Sequence, residues 1–174
     1  MAEKVKSAKI SAYDDAVVTG RSGGKVRIAE TMKEAVRGAS FLFVCVPSHL
    51  KREGLEGAGW KRLARQISKD AAPTAIVVIK STLVPGDASK LQQLTGRRVV
   101  VCPEFMAEGT AERDLLAPHR VLVGGEDKDA VDDVVSLYRA WVPASRIIRM
   151  DAWSAQLAKL LANAMLAQRV SSIN

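Results

Sequence analysis

At 174 residues the chain is long enough for one domain with its own core. Its 48% hydrophobic content is that of an ordinary globular protein, and no apolar run approaches the roughly 20 residues of a membrane span. The net charge of +7 is scattered, with no basic run of five and little aromatic interleaving. That pattern argues against a nucleic-acid interface, whereas a pocket for anionic nucleotides accounts for the excess equally well.

Lys4, Lys6 and Lys9 have no apolar core behind them, so the start is not a signal peptide. Two cysteines, Cys45 and Cys102, make no disulfide framework, and a cytoplasmic protein without membrane or nucleic-acid partners is expected. Lys9–Tyr13 reads as a strand and Gly20–Gly24 as a loop that lacks the order of a dinucleotide fingerprint. Lys25–Ala29 alternates as a strand does, and Thr31 with Glu34 forms a capping box for a short helix stopped at Gly38. Phe41–Val46 is a continuous apolar run, which predicts a strand buried on both faces and makes Cys45 a core residue.

Trp60, Leu63, Ala64 and Ile67 fall at helical spacing, with Lys61, Arg62, Arg65 and Lys69 outward. Ala75–Ile79 is a further buried strand. The next helix carries Ala88, Leu91 and Leu94 and closes at Gly96. Val99–Cys102 reads as a strand leading directly into Pro103 and two carboxylates, Glu104 and Glu108. Carboxylates at the end of a parallel strand stand where α/β proteins keep their sites, although solvated loop charges satisfy the same pattern. A strand at Arg120–Val123, a helix on Val131, Val134, Val135 and Tyr138, and a strand at Arg146–Met150 follow. Alternating strands and helices predict a doubly wound α/β domain with a parallel sheet covered on both faces.

Asp151 can cap the final helix, which is apolar nearly all round and so of the kind normally buried. Lys159 and Asn163 lie four apart on one of its faces. Two readings of Lys159 stay open: a desolvated lysine that needs a partner, or one that snorkels at the helix edge.

Lys80–Gly86, Pro103–Gly109, His119–Gly125 and Trp153–Asn174, in this order, resemble the UDP-glucose 6-dehydrogenases of the UDP-glucose/GDP-mannose dehydrogenase family. The resemblance runs from about Phe41 to the end and fades before it. It implies an incomplete Rossmann-like doubly wound sheet followed by the start of a long central helix. Residues 1–150 would be a partial NAD-binding domain, and residues 151–174 the start of a connecting helix through which the complete protein forms a homo-oligomer, a dimer or multiples of it.

The activity implied is oxidation of UDP-glucose to UDP-glucuronate with two NAD, through a thioester on a cysteine of a second domain. Glu104, Lys159, Asn163 and Thr82 take the catalytic roles in this resemblance. Val46, Pro47, Ser48, Ser81, Thr82, Leu83 and Glu108 take the cofactor contacts. Glu104, Phe105, Met106, Ala107, Glu108, Lys159 and Asn163 line the substrate site, and no metal is implied. Ser48 and His49 depart from the family's loop at that place. The Gly-rich fingerprint expected before Lys25 and the nucleophilic cysteine domain expected after Asn174 are missing, and Cys45 and Cys102 do not replace that nucleophile. The chain is therefore expected to be inactive alone, with an exposed apolar helix end. The alternatives are a non-catalytic nucleotide-sugar-binding and dimerisation module, or a dehydrogenase for GDP-mannose or UDP-N-acetylmannosamine.

Overall fold

The computed structural model describes residues 10–12, 26–46, 57–107 and 109–173. In chain order they form β1 (Ile10–Ala12), β2 (Val26–Ile28), α1 (Met32–Val36), β3 (Phe41–Val44), α2 (Ala58–Asp70), β4 (Ile76–Ile79), α3 (Asp87–Thr95) and β5 (Arg98–Val101). Then come α4 (Ala111–Leu116), β6 (Val121–Gly124), α5 (Lys128–Tyr138), a 3-10 turn (Ala144–Arg146), β7 (Ile147–Met150) and α6 (Ala152–Ile173). β1 and β2 pair in parallel, and the other five strands form one sheet in the order β3-β4-β5-β6-β7.

The sheet is covered on both faces, as a doubly wound fold requires. Val77, Ile79, Val99 and Val101 face a cluster with Trp60, Ala64, Ile67 and Leu91 from α2 and α3. Ile76, Val78, Val100 and Cys102 face the opposite cluster, built on Val131, Val134, Val135 and Tyr138 of α5. The two-residue period of β4 and β5 thus sends alternate β-branched side chains into two cores. The Thr31 hydroxyl caps α1 by accepting from Glu34 N–H (3.2 Å). The returning Glu34 carboxylate accepts from the Glu30 N–H (3.1 Å), so this half of the capping box closes one residue early.

Three expectations need correction. β3 ends at Val44 and is not buried on both faces: Phe43 is 44% exposed, and Cys45 and Val46 lie exposed beyond the strand. The reason is position, since β3 is the terminal strand of its sheet. Leu94 is 52% exposed, and Thr95 takes its place on the inner face of α3, its hydroxyl donating to Leu91 O (2.7 Å). Finally, the sheet is mixed, because β6 runs antiparallel to β5 while β6 and β7 are parallel. The segment between β5 and β6 stays at one end of the sheet, and its helix α4 buries no residue, so it does not make the crossover that a parallel return needs.

That reversal positions the site. The single pairing Val101↔Gly124 slides β6 past the end of β5. Beyond that pairing, Glu104 and Phe105 of the loop after β5 share one cleft with Arg120 and Val121 at the start of β6. α6 then starts against β6, where an added Cβ on Gly124 would lie 2.6 Å from both Ala155 Cβ and Asp151 O. The Asp151 carboxylate caps α6 by accepting from Ser154 N–H (2.7 Å) and the Ser154 hydroxyl (2.6 Å). From Asp151 to Lys159 is about 12 Å of helix axis, and from Val101 to Glu104 about 10 Å of extended chain. Lys159 therefore arrives level with Glu104.

Candidate active site

The site lies at the C-terminal ends of β4 and β5, in a cleft lined by Lys80, Glu104, Phe105, Met106, Arg120 and Tyr138 among others. Lys159 Nζ is 3.5 Å from Glu104 Oε1, with the two side chains 10% and 33% exposed. Glu104 Oε2 accepts the Met106 N–H at 2.7 Å. One carboxylate oxygen is thus fixed by its own loop while the other meets a nearly buried ammonium. Lys159 has a partner and does not snorkel, which decides between the two readings left open by the sequence. Phe105 lies under two cations, Arg120 Cζ at 4.5 Å and Lys159 Nζ at 5.1 Å from the ring centroid. Lys80 Nζ donates to the Tyr138 hydroxyl (3.3 Å) and lies 3.8 Å from Cys102 Sγ. Burial pushes the Tyr138 phenol well up, and the neighbouring Cys102 adds to it.

The other expected residues divide. Val46 is 40% exposed at the end of β3, and Thr82 is half-buried with no described residue bonded to its hydroxyl. Ser81 is buried, and its hydroxyl donates to Val46 O (2.5 Å) and Val44 O (3.3 Å). It ties the two expected cofactor segments together and has no free proton for a ligand. The Leu83 side chain packs in the core. Met106 and Ala107 are exposed on the loop. Asn163 is exposed one turn beyond Lys159 and touches neither Lys159 nor Glu104 through a described hydrogen bond. Pro47, Ser48, His49 and Glu108 lie outside the described residues, as does the Gly20–Gly24 loop.

Two residues that hold the site were not singled out by sequence. Gln156 is buried on α6, donating to Val84 O (2.8 Å) and accepting from Gly86 N–H (3.2 Å). It fastens the turn after Thr82 to the helix that carries Lys159. Its signal was a polar side chain on an apolar helix, one turn before Lys159. Asp114 clamps the loop after β5 by accepting from the Thr110 hydroxyl (2.7 Å) and the Ala107 N–H (3.2 Å).

The Thr110 hydroxyl, then the Ala107 N–H, hold the Asp114 carboxyl below its ordinary value of 3.8. The Ser154 hydroxyl and N–H do the same for Asp151. A lowered folded-state value means that each clamp contributes above pH 3.8 and is lost as pH falls through the lowered value. Amide chemical shifts of Ala107 and Ser154 should accordingly stay flat from neutral pH down to about 4 and move only below it. Movement near pH 6 would show that other groups hold these turns.

Neither cysteine is an activated nucleophile. Cys102 is fully buried. Desolvation of its sulfur pushes the Cys45 thiol up against the opposing pull of Lys80, which reduces the reactive thiolate. The two strands they follow flank β4, so they stand about 10 Å apart, beyond the reach of a disulfide. Among the described residues no group of three His, Cys, Asp or Glu could hold a metal ion, and no helix is long and apolar enough to cross a membrane.

UDP-glucose 6-dehydrogenase 1 of Oryza sativa subsp. japonica is 39% identical over 179 residues, covering 92% of this chain and 37% of that protein. The chain thus spans little more than a third of the length of the curated relatives it matches. A UDP-glucose dehydrogenase structure from Pyrobaculum islandicum superposes with a TM-score of 0.71 at 27% identity, covering 87% of this chain and 37% of that one. The structure of a UDP-D-ManNAc dehydrogenase from Pyrococcus horikoshii has the same TM-score and identity, covering 82% and 36%. The Rossmann-like fold is therefore shared across enzymes named for different sugars. Residues 3–142 match the profile described as "UDP-glucose/GDP-mannose dehydrogenase family, NAD binding domain", and the chain belongs to that family.

Proposed function

We propose that this chain supplies the NAD-binding domain and part of the sugar site of an NAD-dependent UDP-glucose 6-dehydrogenase. The observation that carries this reading is the Lys159–Glu104 pair at 3.5 Å, set at the strand ends where doubly wound folds bind their ligands. Such a pair can take the proton from an alcohol oxygen and stabilise the alkoxide that forms. Met106 N–H keeps one carboxylate oxygen oriented while the other faces the ammonium. Asn163 stands one turn further along α6, where it can donate to the same developing charge, and Glu108 would assist in holding cofactor and sugar.

The described residues fit the nicotinamide end of NAD. Val46 and Thr82 are accessible at adjacent strand ends, and Ser81 holds their segments side by side. NAD, when bound, supplies the hydride acceptor. This chain's residues orient the alcohol and move its proton. Residues 1–150 form the cofactor part in this reading, and residues 151–174 begin the connecting helix. Leu161, Met165, Leu166, Val170 and Ile173 are 51–85% exposed there and suit a further domain or a second copy. A cytoplasmic location accords with the free cysteines.

UDP-glucose is the favoured substrate because the 39% identical rice relative carries that name. Calorimetric titration of the chain with UDP-glucose, GDP-mannose and UDP-N-acetylmannosamine tests it. UDP-glucose should bind tightest, and Glu104→Gln should weaken it. Tighter binding of GDP-mannose or UDP-N-acetylmannosamine would reassign the substrate, and no binding of any would remove the reading. The state of the two cysteines favours a second reading for the chain by itself, a nucleotide-sugar-binding module without turnover. Binding of UDP-glucose with no NADH formed supports that module.

A further inference from the structure

We propose that the Phe105 ring is a positioning residue for the Lys159–Glu104 pair, and that Arg120 holds the ring in place. The inference rests on the reading of that pair as the proton-handling group and names what aims it. A lysine ammonium on a four-carbon stem has no preferred direction of its own. Its contact with Glu104, at 3.5 Å, lies at the outer edge of hydrogen-bond range and does not fix one. The ring supplies the second point of attachment, 5.1 Å from Nζ.

Glu104 and Phe105 are consecutive, so one loop offers a carboxylate and a π face to the same ammonium. The Lys159 side chain is only 10% exposed, and a desolvated ammonium gains most from a π face. The ring in turn needs support, because it is half-buried on a loop whose next two residues are exposed. Arg120 gives that support. Its guanidinium lies 4.5 Å from the centroid, and among the described residues it forms no ion pair that would draw it elsewhere. Arg120 immediately precedes β6, and the antiparallel run of β6 beside β5 puts that end of the strand at the loop carrying Phe105, so a parallel β6 would remove the clamp.

The test reads Lys159 directly. In chain labelled with 13C-lysine, the ε-methylene protons of Lys159 should be shifted upfield by the ring current of Phe105. Phe105→Leu should return them to the position of an exposed lysine, and Phe105→Trp should restore the shift. Arg120→Met, a change at an exposed residue, should reduce it. UDP-glucose affinity should fall about tenfold in Phe105→Leu and recover in Phe105→Trp. An unshifted Lys159 in the parent, or one that is unchanged in Phe105→Leu, overturns the proposal. If Phe105→Leu does not fold, Arg120→Met decides: an unchanged shift there overturns the clamp. The shift needs no ligand, so failure of UDP-glucose to bind removes the functional reading alone. An unshifted lysine with normal UDP-glucose binding removes only the clamp.

Discussion

Replacing Gly124 by alanine should lower the unfolding free energy by about 1–3 kcal/mol, the usual cost of inserting a methyl into a filled space. Two atoms set the cost. The new Cβ would lie 2.6 Å from Ala155 Cβ and 2.6 Å from the Asp151 carbonyl oxygen. The carbonyl is the worse neighbour, because it is backbone at the start of α6 and cannot turn aside as a side chain can. Relief requires α6 to lift from β6, which moves the helix that presents Lys159 to Glu104. UDP-glucose affinity should therefore fall together with stability.

Gly59→Ala is the internal control: among the described residues nothing lies within 4 Å of its added Cβ, and it sits inside helix α2. That change should be neutral or stabilise by up to about 1 kcal/mol, since alanine loses less backbone freedom in a helix. Urea denaturation of the two variants checks both signs. Equal midpoints for Gly124→Ala and the parent would mean that α6 is not seated on β6 through this glycine.

What the sequence disclosed follows from where its signals are local. β4 and β5 were legible because β-branched residues buried on both faces leave a continuous apolar run, and α5 because its apolar residues repeat with the helical period. Phe41–Val46 carried the same signal as β4, yet it forms a terminal strand with an exposed face. An apolar run reports what a strand tolerates and not where it sits in the sheet. The direction of β6 was illegible for a similar reason, since three apolar residues carry no sign of parallel or antiparallel pairing.

The site shows the same limit. Glu104 stood out by its place at a strand end and Lys159 by its apolar helix, family resemblance supplied their expected roles, and nothing in their spacing of 55 positions says that they meet. Their meeting depends on the register of β6, the seat of α6 on Gly124 and the Gln156 bonds to Val84 and Gly86, all of them long-range. The Thr31 and Glu34 capping box and the Asp151 cap were readable because each closes within three residues.

Lys159→Met separates a site from a structural ion pair. Methionine keeps the length and the apolar stem and deletes the charge. If the pair served stability, removing one partner of a buried ion pair should cost about 3–5 kcal/mol. Here the Glu104 side chain remains 33% exposed and keeps its bond from the Met106 N–H, so the carboxylate left behind is still hydrated. Desolvating the Lys159 ammonium, by contrast, is a cost of folding that methionine does not carry. The stability of Lys159→Met should therefore lie within about 1 kcal/mol of the parent, on either side.

Function should move far more. In a complete enzyme containing this chain, loss of the group proposed to handle the alcohol proton should lower kcat by about 10²–10⁴-fold. The UDP-glucose Kd should rise by no more than about tenfold, the loss expected of Phe105→Leu, since the fixed carboxylate and the loop remain. Side-by-side urea denaturation and steady-state kinetics check the split. A large loss of stability with kcat retained would return Lys159 to a structural role and leave the cleft without its proton-handling group.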